Sequence, residues 1–307
     1  MSRTVSPHHR VFLFLKSSLS FFTSVMIGIQ ACIRSVRRII DAVTVYGIRT
    51  GLTMKLDDKI ALVTGSARGL GWEIIQAFAQ EGAMVTICDL SQADVDEAAA
   101  RLGLPDEKIL GIKADVTVER DVVNLFEMIK KKFGRIDVVV NNAGFAWPRG
   151  GPVNLELADT PLDVWLKVLD TNLNGTFLCS REALKVMRPQ GSGSIVNISS
   201  PQGKKGKVLR GPYSAAKFGV EGLTQVLALE NDAHCIRVNT LDPGGIVATE
   251  AIRKISGNRG VKMLSPEIIR ACAVYLASDE SSGITGQSFV ATDWNKERGL
   301  EVPYTVA

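Results

Sequence analysis

Histidine is scarce in this 307-residue chain: of three, His8 and His9 fall in the first ten residues, leaving only His234 downstream. A zinc site built from several histidines, or a nucleophile that depends on a histidine base, has almost no material. Cysteine offers little more. The five cysteines, Cys32, Cys88, Cys179, Cys235 and Cys272, are odd in number and scattered, with no Cys-x-x-Cys pair. They read as reduced, mostly buried small hydrophobes rather than disulfides or metal ligands. With 46% hydrophobic residues there is ample material for a core, which excludes a disordered or disulfide-stapled chain.

Acid is nearly absent from one stretch. The first 53 residues hold seven basic groups (Arg3, Arg10, Lys16, Arg34, Arg37, Arg38, Arg49) and one acid, Asp41, so the formal +4 of the chain divides into +6 there and −2 over residues 54–307. The larger part thus has no electrostatic case for nucleic acid. Ser17 to Ile33 is a run of 17 uncharged residues, at the short edge of the roughly 20 that span a bilayer. Three readings stay open for residues 1–53: a spurious or dispensable leader, an organelle-directing presequence, or a membrane anchor through residues 17–33. A secretory role does not fit the cysteine usage. The main body is expected in the cytoplasm unless the leader directs it elsewhere, and Met54 reads as a natural domain start.

From Met54 onward, apolar strand-like runs alternate with helical stretches. The expected strands are Ile60–Thr64, Met84–Asp89, Ile109–Lys113, Asp137–Asn141, Ser194–Ser199, Ile236–Leu241 and Ser288–Ala291. The expected helices are Gly71–Glu81, Ser91–Leu102, Glu119–Phe133, Pro161–Met187, Pro212–Glu230 and Pro266–Ala277. Runs such as Asp137-Val-Val-Val-Asn141 imply strands covered on both faces. The expectation is one α/β domain over residues 54–307, a Rossmann-type doubly wound parallel sheet with helices on both faces.

The first strand runs into Thr64-Gly65-Ser66-Ala67-Arg68-Gly69-Leu70-Gly71 and then a helix. Glycines there allow a sharp turn and close approach of a pyrophosphate, while the helix N-terminus offers unpaired N–H groups. The second strand ends at Asp89, 18 residues past Gly71, where a carboxylate accepts hydrogen bonds from the adenosine ribose hydroxyls. A 2′-phosphate would meet that carboxylate, so NAD is expected over NADP. Arg68 argues the other way, as a group able to reach a 2′-phosphate or as a solvated surface arginine.

Tyr213-Ser-Ala-Ala-Lys217 follows Pro212, a favourable helix start. Four-residue spacing puts Tyr213 and Lys217 on one face, where an ammonium is expected to lower the phenol pKa from its usual value of about 10. Ser200, 13 residues before Tyr213, stands just past a strand end, suited to donate to a substrate carbonyl. Ser199 reads as a strand-end hydroxyl.

Together these segments resemble the classical short-chain dehydrogenases/reductases, single-domain NAD(P)-dependent oxidoreductases. The resemblance covers residues 55–292 and includes Thr64-Gly-x-x-x-Gly-x-Gly71, Asp115-Val116, Asn141-Asn-Ala-Gly144, Asn172, Ser200, Tyr213-x-x-x-Lys217 and Asn239-x-x-x-Pro243-Gly244. It implies a hydride transfer between a nicotinamide and a secondary alcohol or ketone. Tyr213 would act as general acid/base, Ser200 would polarise the carbonyl, and Lys217 would hold the nicotinamide ribose. Asn172 would position a water behind Lys217. Gly65, Ser66, Arg68, Gly69, Leu70 and Gly71 would form the pyrophosphate turn, and Asp89 would hold the ribose. Asp115 and Val116 would meet the adenine, with Asn141, Ala143 and Gly144 as the adjoining wall. Pro243, Gly244 and Ile246 would hold the nicotinamide. No metal is implied, and the family's usual assembly is a homotetramer or homodimer, here through the helices of Asn172 and Tyr213.

The sequence departs from the family in two places. Thr249 stands three residues after Ile246 where the family has a threonine two after, and Thr292-Asp293-Trp294-Asn295 replaces the usual Asp-Gly-Gly. The short stretch between Thr249 and Pro266 suggests an open substrate pocket. Four cations follow Ser200, namely Lys204, Lys205, Lys207 and Arg210. They read either as attraction for an anionic substrate, such as an acyl thioester on a phosphopantetheine arm or a sugar acid, or as a solvated loop. Trp147 flanks the substrate or simply packs, and His234 is expected at the surface. Besides the alcohol/ketone enzyme, an NADPH-dependent 3-oxoacyl thioester reductase and a catalytically silent dinucleotide sensor fit the same motifs.

Overall fold

Ile60-Ala-Leu-Val-Thr64 is apolar on both faces and forms β1 with all five residues buried. In a computed structural model, which describes residues 54–148, 154–250, 252–253, 260 and 262–306, this strand lies at the middle of a parallel sheet. It pairs β2 (Met84–Asp89) on one side and β4 (Val138–Asn141) on the other. β3 (Ile109–Lys113) extends the β2 edge, and β5 (Gly193–Ile198), β6 (Ile236–Asp242) and β8 (Ser288–Val290) extend the other. The resulting order is β3-β2-β1-β4-β5-β6-β8. The chain reverses direction across the sheet between β1 and β4, which opens a crevice at the strands' carboxyl ends.

Alternation along the strands sends side chains to two separate cores. Ala61 and Val63 of β1 face a layer with Ile74, Ile75 and Phe78 of α1 (Gly69–Gln80), Val95 of α2 (Gln92–Leu102), Cys272 and Leu276 of α7 (Arg270–Ala277), and Trp294 of α8 (Ala291–Glu297). Ile60 and Leu62 face the other layer. There they meet Val122, Leu125, Phe126 and Ile129 of α3 (Glu119–Phe133), Cys179 and Met187 of α5 (Gly175–Gln190), and Leu227 of α6 (Gly211–Asn231). Each large side chain so buried stabilises the fold by about 1.5–3 kcal/mol.

The structure departs from expectation in several elements. Pro161–Met187 is not one helix: α4 (Leu162–Leu169) passes through a π turn, Asp170–Asn174, into α5. Pro266 opens a short 3₁₀ turn, Pro266–Ile269, before α7, at a position where its missing N–H costs no helical bond. α8 and an antiparallel ribbon of β7 (Lys262–Leu264) with β9 (Tyr304–Val306) were not expected. Cys88, Cys179 and Cys272 are buried free thiols, but Cys235 is exposed at the end of the turn Asp232–His234, and His234 is exposed beside it. No helix among the described residues is long and apolar enough to cross a membrane. The expected leader, residues 1–53, and most of the stretch between Thr249 and Pro266 lie outside the described residues.

Candidate active site

The turn after β1 is stitched to the neighbouring strand. Ser66 N–H donates to Cys88 O, Cys88 N–H donates to Ser66 Oγ (both 3.1 Å), and Ala67 N–H donates to Asp89 Oδ2 at 3.2 Å. Gly65 and Gly69 take φ of +63° and +60°, the left-handed region that favours glycine. A Cβ on Gly71 would collide with Gly65 O and come within 2.5 Å of Asn142 Nδ2. α1 has no side-chain cap and no acid in its first turn, so its leading N–H groups stay available to an anion. These residues fit a dinucleotide pyrophosphate. Leu70 is half-buried behind the turn.

Asp89 ends β2 with its carboxylate beside this turn, also accepting from Leu90 N–H at 2.8 Å. Arg68 forms a 3.5 Å ion pair with Asp94. Asp115 Oδ1 accepts from the Thr117 N–H and hydroxyl at 2.9 and 2.7 Å, and Val116 packs at Gly175, so both close the end of β3. Ser66 and Asn141 differ from expectation. Ser66 is fully buried and its hydroxyl serves β2; the Asn141 amide donates to Ser180 Oγ and Asn197 Oδ1 inside the protein. Their side chains are therefore structural, with only backbone left to face the crevice.

At the other side of the crevice, Lys217 is 5% exposed and its Nζ donates to Ile198 O at 2.7 Å, 5.6 Å from the centre of the Tyr213 ring. Ser200 lies beside the Tyr213 hydroxyl and favours its phenolate, while Ser199 is committed to a hydrogen bond with Glu221. Asn172 sits in the π turn, a distortion common at functional sites. Its amide donates to Phe145 O and Val168 O at 2.8 and 2.9 Å, and its buried Oδ1 has no partner among the described residues.

A short chain dehydrogenase family model matches residues 59–260. The chain belongs to the short-chain dehydrogenase family. It is 36% identical over 245 residues to D-threitol dehydrogenase of Mycolicibacterium smegmatis, covering 77% of this chain and 92% of the relative. To cis-4-hydroxycyclohexanecarboxylate dehydrogenase of Sinomonas cyclohexanicum it is 35% identical over 241 residues, covering 75% and 93%. The crystal structure of levodione reductase superposes with a TM-score of 0.70 at 30% identity, over 76% of this chain and 96% of that one. This short-chain dehydrogenase is accordingly an oxidoreductase of the alcohol dehydrogenase and ketone reductase kind.

One electrostatic expectation for this member of the family is corrected. Burial pushes Tyr213 up to about 12, with Ser200 and Arg210 favouring the phenolate and Asp242 opposing it. Lys217 is pushed down to about 8 by the same burial, which Asp242 and Glu221 partly offset. Lys217 loses its proton at lower pH than the phenol does, so it is neutral where Tyr213 titrates and does not offset the desolvation there.

Several site residues escaped the sequence reading. Asn142 donates from its amide to Thr64 O and Gly65 O at 2.9 and 3.0 Å, tying β4 to the glycine turn; the doubled asparagine after β4 was its signal. Asp242, at the end of β6, is 2% exposed and accepts from Gly244 N–H at 2.8 Å. Burial raises its pKa. Glu221, one turn beyond Lys217, also accepts from Thr240 Oγ1 at 3.0 Å.

The two departures from the family motif are both accommodated. Thr249 Cγ2 lies 3.5 Å from where a Cβ on Gly69 would stand, so the threonine reaches the glycine turn despite its shifted position. Thr292 packs so closely on Gly244 that any Cβ there would collide with its Oγ1. Pro243 is buried, Ala143 is partly buried, Gly144 is exposed, and Ile246 is 53% exposed.

Proposed function

We propose that residues 54–307 form one catalytic domain that moves a hydride between NAD(H) and the carbon of a secondary alcohol or ketone. The observation that carries this reading is the meeting of Ser200, Tyr213 and Lys217 at the carboxyl edge of the sheet, across the crevice from the glycine turn. When bound, the dinucleotide supplies the carbon that accepts or donates the hydride. In oxidation the carbinol C–H bond breaks with its electron pair, the C=O bond forms, and Tyr213 takes the hydroxyl proton. In reduction Tyr213 gives that proton back. Ser200 donates to the substrate oxygen. Lys217 holds the nicotinamide ribose and adds positive charge beside the phenol, and Asn172 Oδ1 holds a water of the proton path behind it.

NAD is favoured over NADP because the Asp89 carboxylate repels a 2′-phosphate and Arg68, in the glycine turn, is already paired with Asp94. Like-chain assembly through α5 and α6 is supported by the outward exposure of Phe177, Phe218, Val226 and Leu229. Ala216 and Gly219 of α6 face inward instead, with Gly219 packed on Leu173.

Tyr213→Phe tests the assignment. Hydride transfer followed at the nicotinamide absorbance should fall by about 10²–10⁴-fold. Dinucleotide affinity, read by tryptophan fluorescence, should stay within about threefold. Retained turnover would overturn the role of Tyr213.

A further inference from the structure

The loop after Ser200 carries four cations, and the structure separates them. Lys204, Lys205 and Lys207 are exposed, and the charge of Lys204 acts on Asp242. Arg210 is different. It is partly buried at the residue preceding α6, with its N–H donating to Lys207 O at 3.1 Å. It follows Leu209, which is held at φ +61°, a conformation a leucine adopts only under constraint.

The Arg210 guanidinium lies 5.7 Å from the centre of the Trp147 ring and acts electrostatically on Tyr213, three residues along the chain. No carboxylate acts on it among the described residues. Trp147 is 5% exposed, and its buried Nε1–H has no hydrogen-bond partner among the described residues. The buried indole donor therefore stands unpaired beside a partly exposed guanidinium on which no described carboxylate acts. Buried donors left unpaired are costly, and a ligand that supplies acceptors recovers that cost on binding.

We propose that Arg210 and Trp147 form a carboxylate subsite, so that the preferred substrates are hydroxy acids and the matching oxo acids. This rests on the reading of Tyr213 as the proton-transfer group. Because Arg210 is so near Tyr213, the carboxylate must lie a few bonds from the reacting carbon. The phosphates of a phosphopantetheine arm stand a whole arm's length from their thioester carbonyl and would meet the exposed lysines instead. Asp242 acts on Tyr213 more strongly than Arg210 does and is itself only partly countered by Lys204 and Lys217, so the carboxylate must sit on the Arg210 side of the phenol, away from Asp242.

The test uses the full chain with a set of 3- and 4-hydroxycarboxylates, each paired with its neutral carboxamide, and cyclohexanecarboxylate as an unreactive binding probe. The wild-type protein should favour acid over amide in kcat/KM by at least about tenfold, the scale of one charge-assisted hydrogen bond. Arg210→Met should bring that ratio close to one, mainly by raising KM for the acid, and should abolish the saturable binding of cyclohexanecarboxylate to the dinucleotide complex. Arg210→Lys should recover part of both. Trp147→Phe, which keeps an aromatic face of smaller area and removes the N–H, should give a smaller loss confined to the acids.

Equal losses on acid and amide would make Arg210 a structural neighbour of Tyr213 and overturn the subsite. So would a wild-type protein that turns over the amides as well as the acids; in that case the oxidoreductase reading stands and only the anion site falls. Saturable cyclohexanecarboxylate binding that Arg210→Met abolishes, with no turnover of any alcohol, would uphold the subsite and remove the catalytic reading instead.

Discussion

The two walls of the crevice treat charge in opposite ways. On the dinucleotide side the charged groups are satisfied by neighbours: Asp89 takes two backbone N–H groups, Asp115 takes Thr117 twice, and Arg68 pairs with Asp94 at the surface. On the reaction side, burial displaces Tyr213 and Asp242 upward and Lys217 and Arg210 downward. Recognition there needs a shape with open donors, which backbone supplies without exposing a titrating group. Burial brings Lys217 nearer neutral pH but carries Tyr213 away from it, so proton exchange at the phenol depends on the groups that favour its phenolate, Ser200 first and Arg210 after it.

The largest effect that would break this contrast is at Asp89. If its carboxylate acts as a satisfied hydrogen-bond acceptor that also repels a 2′-phosphate, Asp89→Ala should lower kcat/KM with NAD and raise it with NADP. Together these should shift the NAD-to-NADP ratio by about 10–100-fold, the span of one or two charge-assisted hydrogen bonds. The measurement is steady-state kinetics with both dinucleotides, alongside a melting curve, since Ala67 N–H loses its acceptor. An unchanged ratio would leave NAD preference without its cause.

Much of the dinucleotide wall was legible because it follows from local rules. β1, β2, β3 and α3 occupy the ranges expected from periodicity, and the glycine turn lies where a strand meets a helix. The misses share a different origin. Asp170–Asn174 is rich in weak helix formers, yet nothing local marks the extra residue of a π turn, which lies packed against α6. Ser66 and Asn141 belong to a recognisable motif, yet which way their side chains point depends on Cys88, Ser180 and Asn197, residues distant in sequence. Asp242 and Glu221 were invisible for the same reason. A carboxylate in a sequence shows its charge; its burial is a property of the assembled sheet.

Lys217 gives a second test, of middle size. Its folded value near 8 lies below the ordinary 10.5 of a lysine. Below pH 8 both folded and unfolded forms are protonated and the fold carries the whole cost of a buried ammonium, up to about 3 kcal/mol. Between the two values the unfolded chain binds more protons, so stability rises with pH, and above 10.5 the cost is gone. Tyr213 works in the reverse sense, but only above its unfolded value near 10. Lys217→Met should therefore melt higher than the wild-type protein at pH 7, less the value of the bond to Ile198 O, with the gap closing toward pH 10. A gap independent of pH would mean that Lys217 is not destabilised by burial, and the contrast between the walls would lose one of its four displaced groups.

The smallest expected effect belongs to Arg68, and its smallness is informative. The pair with Asp94 is 3.5 Å long, with both side chains about two-fifths exposed, and such pairs contribute at most about 1 kcal/mol. If Arg68 is an ordinary surface partner on the satisfied wall, Arg68→Ala should change kcat/KM with either dinucleotide by less than about threefold. A 2′-phosphate ligand behaves differently: its removal cuts kcat/KM with NADP alone, by tenfold or more where the contact is charge-assisted. That outcome would mean Arg68 leaves Asp94 to meet the phosphate. The dinucleotide wall would then contain a switchable charge of its own, and Asp89 would no longer decide between the two cofactors.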